Sequence, residues 1–174
     1  MKEIAKINNF SVYFLDEETA KKYSAEISAL ADEIPMNEKG YFNIMAKEKD
    51  GRILHEKFKH SLIVFDKEKI IASLISYERE HEQNENYKEN LLYISMLSVH
   101  PDYRRHGLAR NLFKIFFENN KDFFYLKGKV KYAIQTNSAD WNKHVRDFYK
   151  SLGFKQVGTK DYDNHTDMVL KKSL

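Results

Sequence analysis

The sequence contains no cysteine, which excludes disulfide scaffolds, cysteine-ligated zinc, iron–sulfur clusters and a thiol nucleophile, and fits a reducing compartment. It also has no apolar run approaching the roughly 20 residues that a membrane helix requires. Its start, MKEIAKINNF, lacks the apolar stretch of a signal peptide. The expectation is a soluble cytoplasmic protein with no membrane partner. No sign of charge dominates either: 29 Lys+Arg stand against 26 Asp+Glu, a formal +3, too mild to argue for nucleic acid. What is present is enough for a packed interior, with 42% hydrophobic and 14% aromatic residues among 174. No internal repeat, low-complexity linker or composition break divides the chain, so one domain over residues 1–174 is expected.

Hydrophobic periodicity orders the elements. Phe10, Val12 and Phe14 alternate with Ser11 and Tyr13, the pattern of a strand with one buried face. Tyr23, Ile27, Leu30 and Ile34 recur at helical spacing after the acids Asp16 to Glu18, and Pro35 ends the run. A short helix is expected from about Arg52 through Phe58. Leu62–Phe65 and Ile70–Tyr77 read as an antiparallel hairpin across polar Asp66–Lys69, and Leu91–Val99 reads as a central strand apolar on both faces. Leu108, Leu112, Ile115 and Phe116 give a helix opening near Gly107, followed by a polar and then aromatic connection. Val130–Ile134 is read as a strand. Asn137 or Ser138 could cap a helix that ends near Leu152, with Gly153 as a left-handed cap. Phe154–Val157 and Met168–Leu170 close the chain as strands. The sum is an α/β (α+β) domain with a mixed, mostly antiparallel sheet flanked by helices.

The richest stretch is Ser95 to Ala109, SMLSVHPDYRRHGLA, where a strand ends, a proline turn follows and a helix opens on small residues. A helix N-terminus presents backbone N–H groups with no partner in the helix, together with partial positive charge. Gly107 and Ala109 let a ligand approach the main chain, and Arg104 and Arg105 add charge. A pyrophosphate would suit such a site. Neither common nucleotide pattern occurs: Gly128-Lys129 is followed by Val130 rather than Ser or Thr, and G-x-G-x-x-G is absent.

The run Arg104-Arg-His-Gly107-Leu-Ala109, its LSVHPDY lead-in and the later segment from Asn142 through Tyr149-Lys-Ser-Leu-Gly-Phe154 resemble the GNAT family of acyl-CoA-dependent N-acetyltransferases. That family's phosphate loop follows Q/R-x-x-G-x-G/A. The resemblance covers the chain from about Leu62 onward, and the first 60 residues only in their strand-helix order. It implies a GNAT-like fold with acetyl-CoA as acyl donor and transfer to a primary amine of a small molecule or protein by direct attack in a ternary complex. It further implies pantetheine pairing along Leu97, Ser98 and Val99. The pyrophosphate would lie on the N–H groups of Arg105, His106, Gly107, Leu108, Ala109 and Arg110, beside Arg104. Asn142 would hydrogen-bond pantetheine, and Tyr149 would stand near the sulfur. Dimers are common among family members.

The spacing of Asn142 and Tyr149, seven residues, brings them onto nearly one helix face two turns apart. A tyrosine hydroxyl, protonated at neutral pH, can donate to a departing thiolate, and a strand N–H near Leu97 could hold the oxyanion. For the base that deprotonates the amine, Glu80 and Glu78 at the end of the preceding strand are the candidates. Many relatives carry an acid on the strand before the loop, where this chain has Tyr93 and Ser95. His55 and His60 are five apart, off a common helix face, so no metal is expected. A hydrolase elbow G-x-S-x-G is absent. The competing reading is a non-catalytic acyl-CoA-binding sensor or partner module. The acids from Glu78 to Glu89 mildly favour a cationic acceptor.

Overall fold

A computed structural model describes residues 1–34, 39–40, 42–45, 48–49, 52–53, 57–79, 91–126 and 133–172. The described chain forms two compact units: Met1–Tyr77 with Met96–Lys121, and Glu78–Ser95 with Asp122–Leu174. No helix among the described residues is long and apolar enough to cross a membrane.

In the first unit, β1 (Glu3–Ile7) and β2 (Phe10–Phe14) form a hairpin, and β2 pairs antiparallel with β5 (Leu62–Asp66). β5 in turn pairs antiparallel with β6 (Lys69–Arg79), with Leu62 opposite Leu74. β6 neighbours β7 (Leu91–Val99), whose Met96–Val99 end belongs to this unit. The sequence missed β1, a five-residue strand carrying two charged side chains.

The single helix expected over Asp16–Ile34 is two helices, α1 (Glu17–Lys22) and α2 (Ser24–Asp32), broken at Tyr23 (φ −106°, ψ 18°). Asp16 caps α1 by accepting the Thr19 N–H at 2.7 Å, and that bond holds its carboxyl below the usual carboxylate range. The break keeps the apolar stripe aimed inward. Ile27, Leu30 and Ala31 pack with Ile63, Phe65, Ile75 and Met96, and the Tyr23 ring stands edge-on to Phe65 at 5.2 Å. The helix expected over Arg52–Phe58 is corrected as well. Arg52–Ile53 is a two-residue strand, β4, paired with β3 (Glu48–Lys49), and residues 54–56 lie outside the described set.

The long helix α3 (Leu108–Leu126) starts where expected and runs ten residues further, through the stretch read as a connection. Leu108, Leu112, Phe113 and Phe116, at i, i+4, i+5 and i+8, are all buried, and each such side chain contributes about 1.5–3 kcal/mol.

In the second unit, β8 (Ala133–Ala139) pairs parallel with β7 and antiparallel with β10 (Thr166–Lys172), which pairs antiparallel with β9 (Lys155–Asp161). The parallel β7–β8 pair beside the antiparallel pairs among the described residues makes the sheet mixed and mostly antiparallel, as the sequence indicated. Residues 137 and 138 lie within β8 and cap nothing. The cap of α4 (Lys143–Ser151) is Asn142, whose Oδ1 accepts the Val145 N–H. Gly153 closes the helix at φ 89°, as expected.

Candidate functional site

Within the first unit, β7 delivers the chain into a tight turn. The His100 N–H donates to the Ile71 carbonyl at 2.9 Å, and Pro101–Tyr103 form one 3₁₀ turn. Tyr103 ties this turn to its surroundings: its hydroxyl donates to Asp66 Oδ2 at 2.8 Å, a bond that raises its pKa, and its ring meets Phe10 and His100 edge-on. Lys69 Nζ donates to His100 Nε2 at 3.0 Å, so the His100 ring serves the turn.

The backbone then changes hand twice. Arg105 has φ 67° and Gly107 φ 74°, and α3 begins at Leu108. A Cβ at Gly107 would meet only Asn111 Nδ2, at 3.5 Å, so the glycine is required by its dihedral and not by lack of room. At Arg105, a side chain in the left-handed region costs roughly 1–2 kcal/mol, strain of the sort that collects at binding loops. The helix's hydrogen-bond ladder opens with the Asn111 N–H on the Gly107 carbonyl at 3.0 Å. The N–H groups of Leu108 and Ala109 therefore have no acceptor within the helix. Alternating backbone hand before a helix start is the form of an anion-binding nest, and these residues fit a pyrophosphate.

The side chains of the motif divide their duties. Arg105 and His106 are exposed, and His106 lines a cavity of about 770 Å³ with Phe10, Asp66 and Tyr103. Leu108 is buried, which leaves its N–H as its polar contribution. Arg104 turns away from the nest: its Nε donates to the Val99 carbonyl at 2.9 Å and its Nη2 to the Glu33 carbonyl at 3.1 Å. Glu33 is the C-cap of α2, so the guanidinium meets the negative end of that helix. The Arg104 side chain anchors the loop. On β7, Leu97 and Val99 are half-buried, whereas Ser98 is 2% exposed and its hydroxyl finds no hydrogen-bond partner among the described residues.

Within the second unit, the parallel β7–β8 ladder runs from Leu91↔Ala133 to Tyr93↔Gln135. At the next position the Thr136 hydroxyl donates to the Ile94 carbonyl at 3.1 Å, a side chain standing where a ladder bond would fall. Tyr149 on α4 is buried between Phe148 and Phe154, with ring centroids at 5.4 and 5.2 Å. Burial pushes the phenol up to about 12, with the nearby Thr136 hydroxyl partly opposing the rise. Asn142, the cap, keeps its amide N–H₂ for a further partner. Glu78 is buried at the end of β6, and Glu80 lies outside the described residues.

His60 Nδ1 lies 2.8 Å from Asn120 Oδ1 in the interior, and His55 lies outside the described residues. No group of three or more His, Asp or Glu among the described residues is placed to hold a metal ion. Sequence reasoning missed Tyr103, an ordinary residue type at its position whose hydroxyl ties the turn to Asp66.

A family model described as an acetyltransferase (GNAT) domain matches residues 16–172. No curated protein matches the sequence significantly. Among solved structures, the chain is similar to Arabidopsis thaliana Naa50 in complex with the bisubstrate analogue CoA-Ac-MVNAL, at TM-score 0.65 and 15% identity over 95% of this chain and 99% of that one. It is similar to the NatC complex bound to Gag peptide and CoA (0.68, 19%, 95% and 98%). A third match is Arabidopsis thaliana NAA60 in complex with acetyl-CoA (0.63, 17%, 95% and 100%). These likenesses establish the fold.

Proposed function

Since the chain belongs to the GNAT acetyltransferase family, we propose that it moves the acetyl group of acetyl-CoA onto the primary amine of a peptide or protein, with Tyr149 as the proton donor. The observation that carries this reading is the nest: two left-handed residues, Arg105 and Gly107, opening onto the N-terminus of α3. Acetyl-CoA supplies a thioester already activated for acyl transfer. The N–H groups of Arg105 to Arg110 hold its pyrophosphate, and Arg104 fixes the loop that presents them. Leu97, Ser98 and Val99 offer main-chain groups for peptide-like pairing with pantetheine, and the Asn142 amide donates to it. A β7 N–H near Leu97 steadies the oxygen that gains charge during attack.

The amine must lose a proton before it can attack, and Glu78 is the described carboxylate proposed for that step. Tyr149, neutral well beyond physiological pH, gives its proton to the sulfur as the C–S bond breaks. The peptide acceptor is favoured by the similar structures, two of which hold peptides: the MVNAL analogue on Naa50 and the Gag peptide on NatC.

A thiol-release assay tests this, comparing short peptides with free N-termini against polyamines, aminoglycosides and lysine-containing peptides with blocked N-termini. Turnover on free N-termini is expected. Tyr149→Phe should lower kcat by about a hundredfold while leaving CoA affinity within about twofold. Exclusive use of a small polyamine would refute the acceptor assignment, and CoA binding without turnover on any amine would favour the sensor reading.

A further inference from the structure

We propose that Trp141 is the platform on which the adenine ring of acetyl-CoA stacks, so that this residue recognises the nucleotide end of the donor. The inference rests on the acetyl-CoA reading above and extends it to the part of the donor that has been given no partner.

Trp141 is the only tryptophan in the chain, and tryptophan is on average a highly buried residue. Here it is 59% exposed. It precedes Asn142, the N-cap of α4, and an apolar residue just before an N-cap ordinarily packs on the fourth residue of the helix. In α4 that residue is Arg146, whose guanidinium is committed to main-chain carbonyls. The local packing use is therefore denied to the indole. Val145, one turn along, is exposed as well.

The turn that carries Trp141 is fixed on both sides of it. The Asp140 N–H donates to the Thr166 carbonyl at 2.8 Å, the Asn142 N–H to the Ala139 carbonyl at 3.0 Å, and the Lys143 N–H to the Trp141 carbonyl at 3.0 Å. Arg146 Nη1 donates to the Ala139 carbonyl at 2.9 Å and also to that of Asp140. An aromatic side chain on so constrained a support is presented to a ligand at low ordering cost.

The chemistry of the donor names the occupant. Its thioester is assigned to Tyr149 and a β7 N–H, its pantetheine to β7 and Asn142, and its pyrophosphate to the nest. The adenosine end is left, and adenine is the one flat aromatic surface in acetyl-CoA. Nucleobases stack on aromatic side chains through a π-face that every base has, and indole offers the largest such surface among the side chains. Asn142, the neighbour of Trp141, is already the pantetheine contact, so the platform continues an interface in use. Of the nearby cations, Lys143 pairs with Asp147 and Arg146 serves the carbonyls, which leaves stacking as the means of recognition.

A single tryptophan is its own probe. Indole fluorescence, excited at the red edge of its absorption where adenine does not absorb, is followed during titration with CoA, with 4′-phosphopantetheine, which lacks the nucleotide, and with adenosine 3′,5′-bisphosphate, which lacks the pantetheine. CoA and the bisphosphate should quench it, and phosphopantetheine should not. Calorimetry on Trp141→Ala should show CoA weakened about five- to thirtyfold and phosphopantetheine unchanged within about twofold, with Trp141→Tyr restoring most of the loss. In turnover, KM for acetyl-CoA should rise while kcat holds within about twofold.

CoA binding with unmoved fluorescence, or with wild-type affinity in Trp141→Ala, would overturn the proposal and spare the acetyl-CoA reading. Failure of the wild type to bind CoA would overturn that reading itself. Equal losses for CoA and phosphopantetheine in Trp141→Ala would trace the effect to a disturbed Asn142, and quenching by a peptide acceptor but not by CoA would make Trp141 an acceptor contact; either result overturns the adenine assignment. If Trp141→Ala does not fold, Trp141→Leu takes its place in every comparison.

Discussion

Replacing Arg104 by methionine separates two roles a motif arginine can have in a phosphate loop. If the guanidinium anchors the loop, its loss strips donors from the Val99 and Glu33 carbonyls, now bound at 2.9 and 3.1 Å. Each such bond has a net value of about 0.5–1.5 kcal/mol, more for a charged donor and less where water can replace it, giving roughly 1–2 kcal/mol for the pair. In a chain of this length that lowers the melting midpoint by about 2–8 °C. To the extent that binding must re-form the loop, the same energy raises the Kd for acetyl-CoA up to roughly 5–30-fold.

Calorimetric titration at low and high salt reads the difference. Between about 0.05 and 0.5 M the Debye length shrinks from roughly 14 to 4 Å, so a lost charge-to-phosphate contact matters less at high salt, whereas a lost anchor matters equally. Arg104→Met should keep its affinity deficit at both ionic strengths and melt early. Arg105→Met, at the exposed left-handed position, should lose affinity mainly at low salt and melt as the wild type does. An Arg104→Met protein with an unchanged melting midpoint and a deficit that vanishes in salt would refute the anchoring argument.

Two further outcomes follow from the second unit. Asn142→Ala removes the acceptor for the Val145 N–H and should cost about 1 kcal/mol of stability, whereas Asn142→Asp keeps the cap and loses the amide donor. Urea titration should show only the alanine variant destabilised, and CoA titration both weakened; full affinity in Asn142→Asp would remove Asn142 from the cofactor's contacts. For Tyr149, the folded state holds its proton up to about 12 against about 10 in an unfolded chain. Its contribution to stability is therefore complete below pH 10 and declines from there through pH 12, by at most about 1.4 kcal/mol per pH unit. The wild-type fall over that window should exceed that of Tyr149→Phe, and identical slopes would show that the phenol is not held as described.

Most of the fold was legible because its elements bury regular patterns. The opening of α3 carries a helical stripe, and the β5–β6 hairpin and β7 are β-rich apolar runs bounded by polar segments. The misreadings occurred where a pattern underdetermines the backbone. Tyr23 keeps helical spacing with Ile27 and Leu30, yet the chain breaks there, since the stripe survives a kink that aims both halves at one core. α3 outran its expected end because its later turns carry polar Glu118 and Asn119 before the aromatic residues, a mixture that also suits a loop. β1 was missed because its pairing with β2 is a matter of partner, not of its own composition.

The site shows the same division more sharply. Gly107 and the helix start were readable, because a nest requires a left-handed residue before the first turn and glycine is the residue that supplies it cheaply. The use of Arg104 was not. A consensus of residue types says that a cation belongs at that position, and is silent on whether the cation faces the phosphate or the loop's own carbonyls; only the bonds to Val99 and Glu33 decide. Residues that act through backbone conformation leave a trace in composition, and residues that act by orienting another side chain leave theirs only in three dimensions. An experiment on such a chain is therefore best aimed first at the Arg104 guanidinium, where the motif allows two roles and the bonds to Val99 and Glu33 choose one.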